Sequence, residues 1–214
     1  MHETQIAIPL QSRSTVASVV SKKPRCVLAT VPMALLVASA FAGGALVVPP
    51  DVPANLRPPS DQVVSLEALA SGFQIYECKS KSGQPSTYEW TFVGPDAVLV
   101  DRSGRLLGKH YAGPTWESVD GSSVIGEVKA RDPGPSPSSI PLLLLNAKAT
   151  TGAGVFSTTK SVQRLQTAGG AAPTEPCSAT NVKQVAEVPY TATYYFYRSA
   201  EDAHPGPWAG ANKY

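Results

Sequence analysis

Within the twelve residues from Lys109 to Asp120 the chain carries Lys109, His110, Tyr111, Trp116, Glu117 and Asp120, an amine, an imidazole, a phenol, an indole and two carboxylates. An imidazole that titrates near neutrality can take up or release a proton when a carboxylate orients it. His110 with Glu117 or Asp120 is therefore the candidate for acid–base catalysis of a hydrolase-like kind. The competing reading is that an isolated histidine on a strand packs and donates one hydrogen bond. No other catalytic signature joins it, because the sequence holds no G-x-S-x-G, no H-E-x-x-H and no P-loop. No metal ligand set and no cofactor motif is expected.

The aromatic residues suggest a different use. Trp90, Trp116, Tyr88, Tyr111 and the run Tyr194 to Tyr197 offer flat faces with polar rims, suited to stacking on a sugar or another extracellular molecule. Ala112-Gly113-Pro114-Thr115 reads as a tight turn presenting Trp116, so Trp116, Tyr111 and His110 are the candidate ligand contacts. A hydrolase requires His110 and a carboxylate in one deep polar pocket. A binding domain requires exposed coplanar rings, and a structural or stress-related matrix protein requires neither. The balance favours non-enzymatic binding of an extracellular, cell-wall or matrix component.

The elements that position these side chains follow from composition and period. The 214 residues include 20 Pro and 17 Gly with only 16% charged residues, a turn-rich composition without long amphipathic helices. Val64 to Ala70 and Phe73 to Cys78 alternate with period two, and Ser71-Gly72 between them reads as a turn. Further strands are expected over residues 88–93, 97–101, 106–111, 115–119 and 124–130, with Asp120-Gly121 as a hairpin turn. The run Ile140 to Thr151, with four consecutive leucines, reads as a strand buried on both faces. Residues 155–165 and 188–198 complete the set. The fold class is mainly β, an antiparallel sandwich or closed barrel of roughly eight to ten short strands.

From Cys26 to Val48 there is no charge, and Lys22, Lys23 and Arg25 precede it, the charge order of a signal sequence. Ala38, Ala40 and Ala42 supply the small-x-small pattern for cleavage near Ala40 or Ala42. Residues 1–42 are thus a targeting leader, 43–60 a Pro-rich linker or arm, 61–198 a single β domain and 199–214 a flexible tail. The protein is expected to be secreted, with an uncleaved membrane anchor or an organelle lumen as alternatives. The formal charge is +2. Setting aside the basic leader leaves the domain near neutrality, which disfavours nucleic acid as a partner. No stable membrane association is expected after cleavage. Cys26 falls in the leader, leaving Cys78 and Cys177 as one disulfide or two buried thiols, with no C-x-x-C spacing for a metal.

The strand G-x-Q-I-Y-x-C at Gly72 to Cys78 and the stretch H-Y-A-G-P-T-W-E at His110 to Glu117 resemble an uncharacterised family of secreted proteins, numbered 3455 among domains of unknown function. The resemblance runs from about Leu56 to Tyr197. It implies a secreted, mostly β domain and brings no activity. Some fungal relatives carry a malate dehydrogenase label. A dinucleotide fold needs G-x-G-x-x-G between a strand and a helix. Gly152-Ala153-Gly154 is the only approach to it, lacks the third glycine and precedes β-like sequence, so NAD-dependent activity is not expected.

Overall fold

Side chains that alternate in size and polarity along a strand leave one face to bury, and this chain buries it by closing its sheet into a ring. The computed structural model describes residues 47–203. The leader with Cys26 and its cleavage positions through Ala42, and the tail beyond Ala203, lie outside them. The strands are β1 (Gln62–Lys81), β2 (Gln84–Val100), β3 (Leu106–Tyr111), β4 (Thr115–Ser118), β5 (Ser123–Asp132), β6 (Leu142–Thr151), β7 (Ser161–Gly169) and β8 (Val185–Ser199). Each pairs antiparallel with the next, and β8 returns to pair with β1, so the expected barrel is closed and has eight strands. Closure leaves no bare edge. An eight-stranded barrel has room inside for side chains or one small ligand.

Alternation assigns the inside and the outside. On β8, Tyr190, Ala192, Tyr194 and Phe196 join the inner core with Ala70, Leu99, Trp116 and Val162. Tyr195 and Tyr197 point the other way and pack with Leu56, Leu144 and Leu165. Leu143 and Leu145 face inward while Leu144 faces outward, which is why the leucine run of β6 is buried on both sides. Before β1, the Pro-rich segment makes a single 3-10 turn at Ala54–Leu56 and buries Leu56 completely. Gln163 Nε2 donates to the Leu56 carbonyl at 2.6 Å and Tyr197 Oη donates to Gln163 Oε1, fixing this arm over the outer wall.

Three expectations are corrected. Ser71-Gly72 is no turn but the middle of the twenty-residue β1, where Gly72 faces Ala97 on one side and Tyr190 on the other. A Cβ there would lie 2.1 Å from the Asp96 carbonyl oxygen, so the glycine serves close strand approach. The strands expected at 88–93 and 97–101 are one strand, β2. It runs through Gly94-Pro95 by a bulge, Ile75 facing Gly94 and Tyr76 facing Phe92, which leaves Val93 as the extra residue. Residues 155–159 are loop and not strand. Two of their backbone donors go to side chains, Val155 N to Asp120 Oδ2 at 2.9 Å and Phe156 N to Ser122 Oγ at 3.1 Å, while Ser157 N and Thr159 N close turns onto the Gly154 and Phe156 carbonyls. Phe156 itself is fully buried against Phe196 and plugs that end of the barrel.

Cys78 on β1 is bonded to Cys177 in the connection before β8, with Cα atoms 5.6 Å apart and a sequence separation of 99. The bond excludes the two-thiol alternative. Gly152-Ala153-Gly154 lies in the loop between β6 and β7, two antiparallel strands with no helix between them, so the setting of a dinucleotide motif is lacking there.

Candidate functional site

The β3–β4 hairpin splits the expected site between two faces. In its register Lys109 pairs with Glu117, His110 with Trp116 and Tyr111 with Thr115. Strand alternation sends Lys109, Tyr111 and Glu117 outward and His110 and Trp116 inward. Outside, Tyr111 Oη donates to Glu117 Oε2 at 2.7 Å and Lys109 Nζ lies 3.3 Å from Oε1. The Tyr111 bond and then Lys109 hold the Glu117 carboxyl below its ordinary range. Asp120 sits in the β4–β5 turn and accepts from Ser122 Oγ at 2.6 Å, Ser122 N and Val155 N. Those bonds lower it to about 2, and its oxygens tie two loops together. Trp116 is not presented by the turn as expected, being 1% exposed inside the barrel.

At the opposite end from the Phe156 plug, the barrel opens into a cavity of about 430 Å³. The β1–β2 strands, the β3–β4 turn and the β5–β6 loop form its rim, with Val128 and Arg131 at the edge. Tyr76, Phe92 and Leu143 supply its walls, and Gln74, His110 and Arg164 its polar lining. Tyr190 and Tyr194 pack beside these groups from β8. Gln74 Nε2, Tyr190 Oη and Tyr194 Oη are all buried without a hydrogen bond of ordinary geometry. A larger depression of about 780 Å³ lies on the outer wall between Phe73, Val98 and Lys109.

The sequence profile of a family described as "Protein of unknown function (DUF3455)" matches residues 59–198. The chain belongs to the DUF3455 family. Within it, the matched span coincides with the barrel, from three residues before β1 to the penultimate residue of β8. No curated protein and no solved structure matches this DUF3455 chain.

The chemistry available to the DUF3455 cavity is set by three facts. His110 is 2% exposed, stacked on Trp116 at 4.5 Å between ring centres and edge-on to Tyr194 at 5.0 Å. Its Nδ1 lies 2.8 Å from the Thr115 carbonyl, which can only accept, so the neutral ring carries its proton there. Burial, with the positive charge of Arg164, lowers its pKa to about 3 against the opposing Thr115 bond. No carboxylate lines the cavity, and the pairing of His110 with Glu117 or Asp120 is not made.

Arg164 is the second fact. Its Nε donates to the Pro141 carbonyl at 3.0 Å, and the four ion pairs among the described residues do not include it. The third is that its charge reaches Tyr76, His110, Tyr190 and Tyr194 together. Burial raises the three phenols, and Arg164 pulls each of them back.

The sequence reading missed Gln74, Arg164 and Tyr190. They come from three strands and meet only when β8 closes on β1. The signal present was a charged residue on the inner face of β7, Arg164 two positions from the buried Val162.

Proposed function

We propose that this DUF3455 barrel is an extracellular binding protein that takes one small, largely apolar molecule, or the end group of a wall component, into its open end. One observation carries the reading. A cavity of about 430 Å³ with apolar walls is lined by a buried amide, Gln74 Nε2, whose hydrogen bond is unmet, with the unbonded hydroxyls of Tyr190 and Tyr194 packed behind it. Ligand sites are commonly about 300 to 1,000 Å³, mostly apolar, with a few convergent polar groups. An unpaired buried donor costs about 1 to 3 kcal/mol, so a ligand that pairs with it gains affinity and orientation at once. The aromatic rings then act as wall and floor; Trp116 and Tyr194 are buried and cannot join an exposed stacking platform, whereas Tyr88, Trp90 and Tyr111 are only half-buried.

Extracellular placement is supported by the disulfide, which persists in oxidising compartments, and by the charge order of the leader. No helix among the described residues is long and apolar enough to cross a membrane. Against catalysis stands the solitary, neutral His110 without a carboxylate to orient it.

The test is a titration of the oxidised protein with the neutral fluorophore N-phenyl-1-naphthylamine. Saturable binding at one site is expected, weakened about tenfold or more by Val128→Trp, which fills the rim from a position already 41% exposed. Absence of saturable binding, or full affinity in the rim variant, would overturn the reading.

A further inference from the structure

The cavity has a charge that nothing in the barrel answers. Arg164 reaches inward from β7, one bond to the Pro141 carbonyl orienting its guanidinium, and it has no acidic partner. A buried or half-buried charge left unpaired is costly, and a guanidinium is best paired by a planar oxyanion that accepts two parallel hydrogen bonds. Arg131 adds a second positive charge at the rim, and the cavity lining contains no acidic side chain. Beside Arg164 stand Gln74 Nε2, Tyr190 Oη and Tyr194 Oη, each 3% exposed or less; they neighbour one another and the guanidinium but make no hydrogen bond of ordinary geometry. High phenol pKa values keep both tyrosines protonated as donors. Gln74 Nε2 and the Arg164 guanidinium both line the cavity, and a ligand with one negative charge would answer both. The rest of the cavity is apolar wall, Tyr76, Phe92 and Leu143.

We propose that the ligand is a small organic acid, an aromatic or aliphatic body seated against Phe92 and Leu143 with its carboxylate on Arg164 and Gln74. This rests on the reading of the cavity as a binding site and adds the chemical class of its occupant. A carboxylate fits the inner end better than a phosphate monoester, since Arg164 alone lies inside to balance one charge while Arg131 stays at the rim. The neutral state of His110 suits the same occupant. Its unprotonated Nε2 accepts rather than donates, so an ammonium group or hydroxyl elsewhere on the ligand can approach it.

The experiment uses two shaped-alike probes, 2-naphthoate and 2-naphthamide, competing against N-phenyl-1-naphthylamine on the oxidised protein near neutral pH. Naphthoate is expected to compete about tenfold or more better than naphthamide, and added salt to weaken naphthoate alone. Arg164→Gln should abolish the preference, so that the two probes compete alike. Should that variant fail to fold, nitrogen-15 spectra of arginine side chains in the wild type give the answer, with one guanidinium signal, assigned by Arg164→Lys, shifting on naphthoate and not on naphthamide. Equal competition by the two probes, a preference retained in Arg164→Gln, or an unmoved Arg164 signal would overturn the proposal while the cavity remains a site for neutral molecules. Failure of the fluorophore itself to bind would instead remove the site.

Discussion

Acid should weaken the barrel through His110 before it does so through any carboxylate. An exposed imidazole titrates near 6.5, whereas burial holds His110 at about 3 in the folded protein. The unfolded chain therefore binds this proton first. The contribution of the neutral ring is complete above about pH 6.5 and drains away as pH falls toward about 3, at about 1.4 kcal/mol per pH unit. Between about pH 7 and about pH 5 the loss comes to about 2 kcal/mol. The carboxylates held low in the fold, Glu67, Asp101, Glu117 and Asp120, start from ordinary values of 4.5 or 3.8, so their losses fall at lower pH and leave that window to the imidazole. The assay is urea unfolding followed by circular dichroism across the window, on the wild type and on His110→Gln. Glutamine is uncharged at every pH and its amide can still donate to the Thr115 carbonyl. The variant is expected to start less stable and to show a nearly flat profile. Parallel profiles for the two proteins would refute the argument, since the buried neutral histidine would then not be the group that titrates.

Three further outcomes are expected. Replacing both Cys78 and Cys177 by serine releases a loop of 99 residues and should lower stability by about 3 kcal/mol in urea, whereas a loss under about 1 kcal/mol would remove the bond from the account of stability. Gly126→Ala would put a Cβ 2.9 Å from Trp116 Cζ3 and 3.0 Å from Leu145 Cδ2. The overpacking should cost about 1 to 3 kcal/mol and alter the near-ultraviolet signal of Trp116; an unchanged spectrum and midpoint would show that the ring has room to spare. Arg102→Ala strands Glu67, which is 8% exposed and held by Arg102 at 2.5 and 2.9 Å, and should lower the unfolding midpoint at neutral pH. Because the Arg102 bond is the main reason that carboxyl lies below 4.5, the wild type keeps the contribution at higher pH and loses it as acid protonates Glu67, so the variant should fall less steeply there.

The middle of the fold was legible because its turns carry their own chemistry. Arg102-Ser103-Gly104 and Asp120-Gly121 separate β2 to β5 where expected, and Leu106–Tyr111 has the predicted bounds. The ends of the barrel were harder. At Gly72 the glycine that marks a turn elsewhere marks two backbones in contact, and period alone does not distinguish these uses. At Val155 to Thr159 the residues favour a strand, yet the fold spends them on a loop because Phe156 is needed as a plug and Asp120 and Ser122 serve its backbone. The site residues fared according to distance in sequence. His110 and Trp116, joined by a short hairpin, were found together, although the alternation that turns them inward was not applied. Gln74, Arg164 and Tyr190 stand on β1, β7 and β8, and only ring closure makes them neighbours.

The pairing of β1 with β8 also governs how the molecule is made. Residues such as Gln62 and Ser199 become partners only when the last strand has left the ribosome, so the sheet emerges as an open ribbon with an unpaired flank. Cys177, in contrast, precedes β8 and can meet Cys78 before the ring shuts. Oxidation at that stage would hold the ends of the ribbon close and shorten the search for the final seam. A polypeptide that oxidises late should spend longer with its seam exposed, and it is there that a chaperone would have most to do.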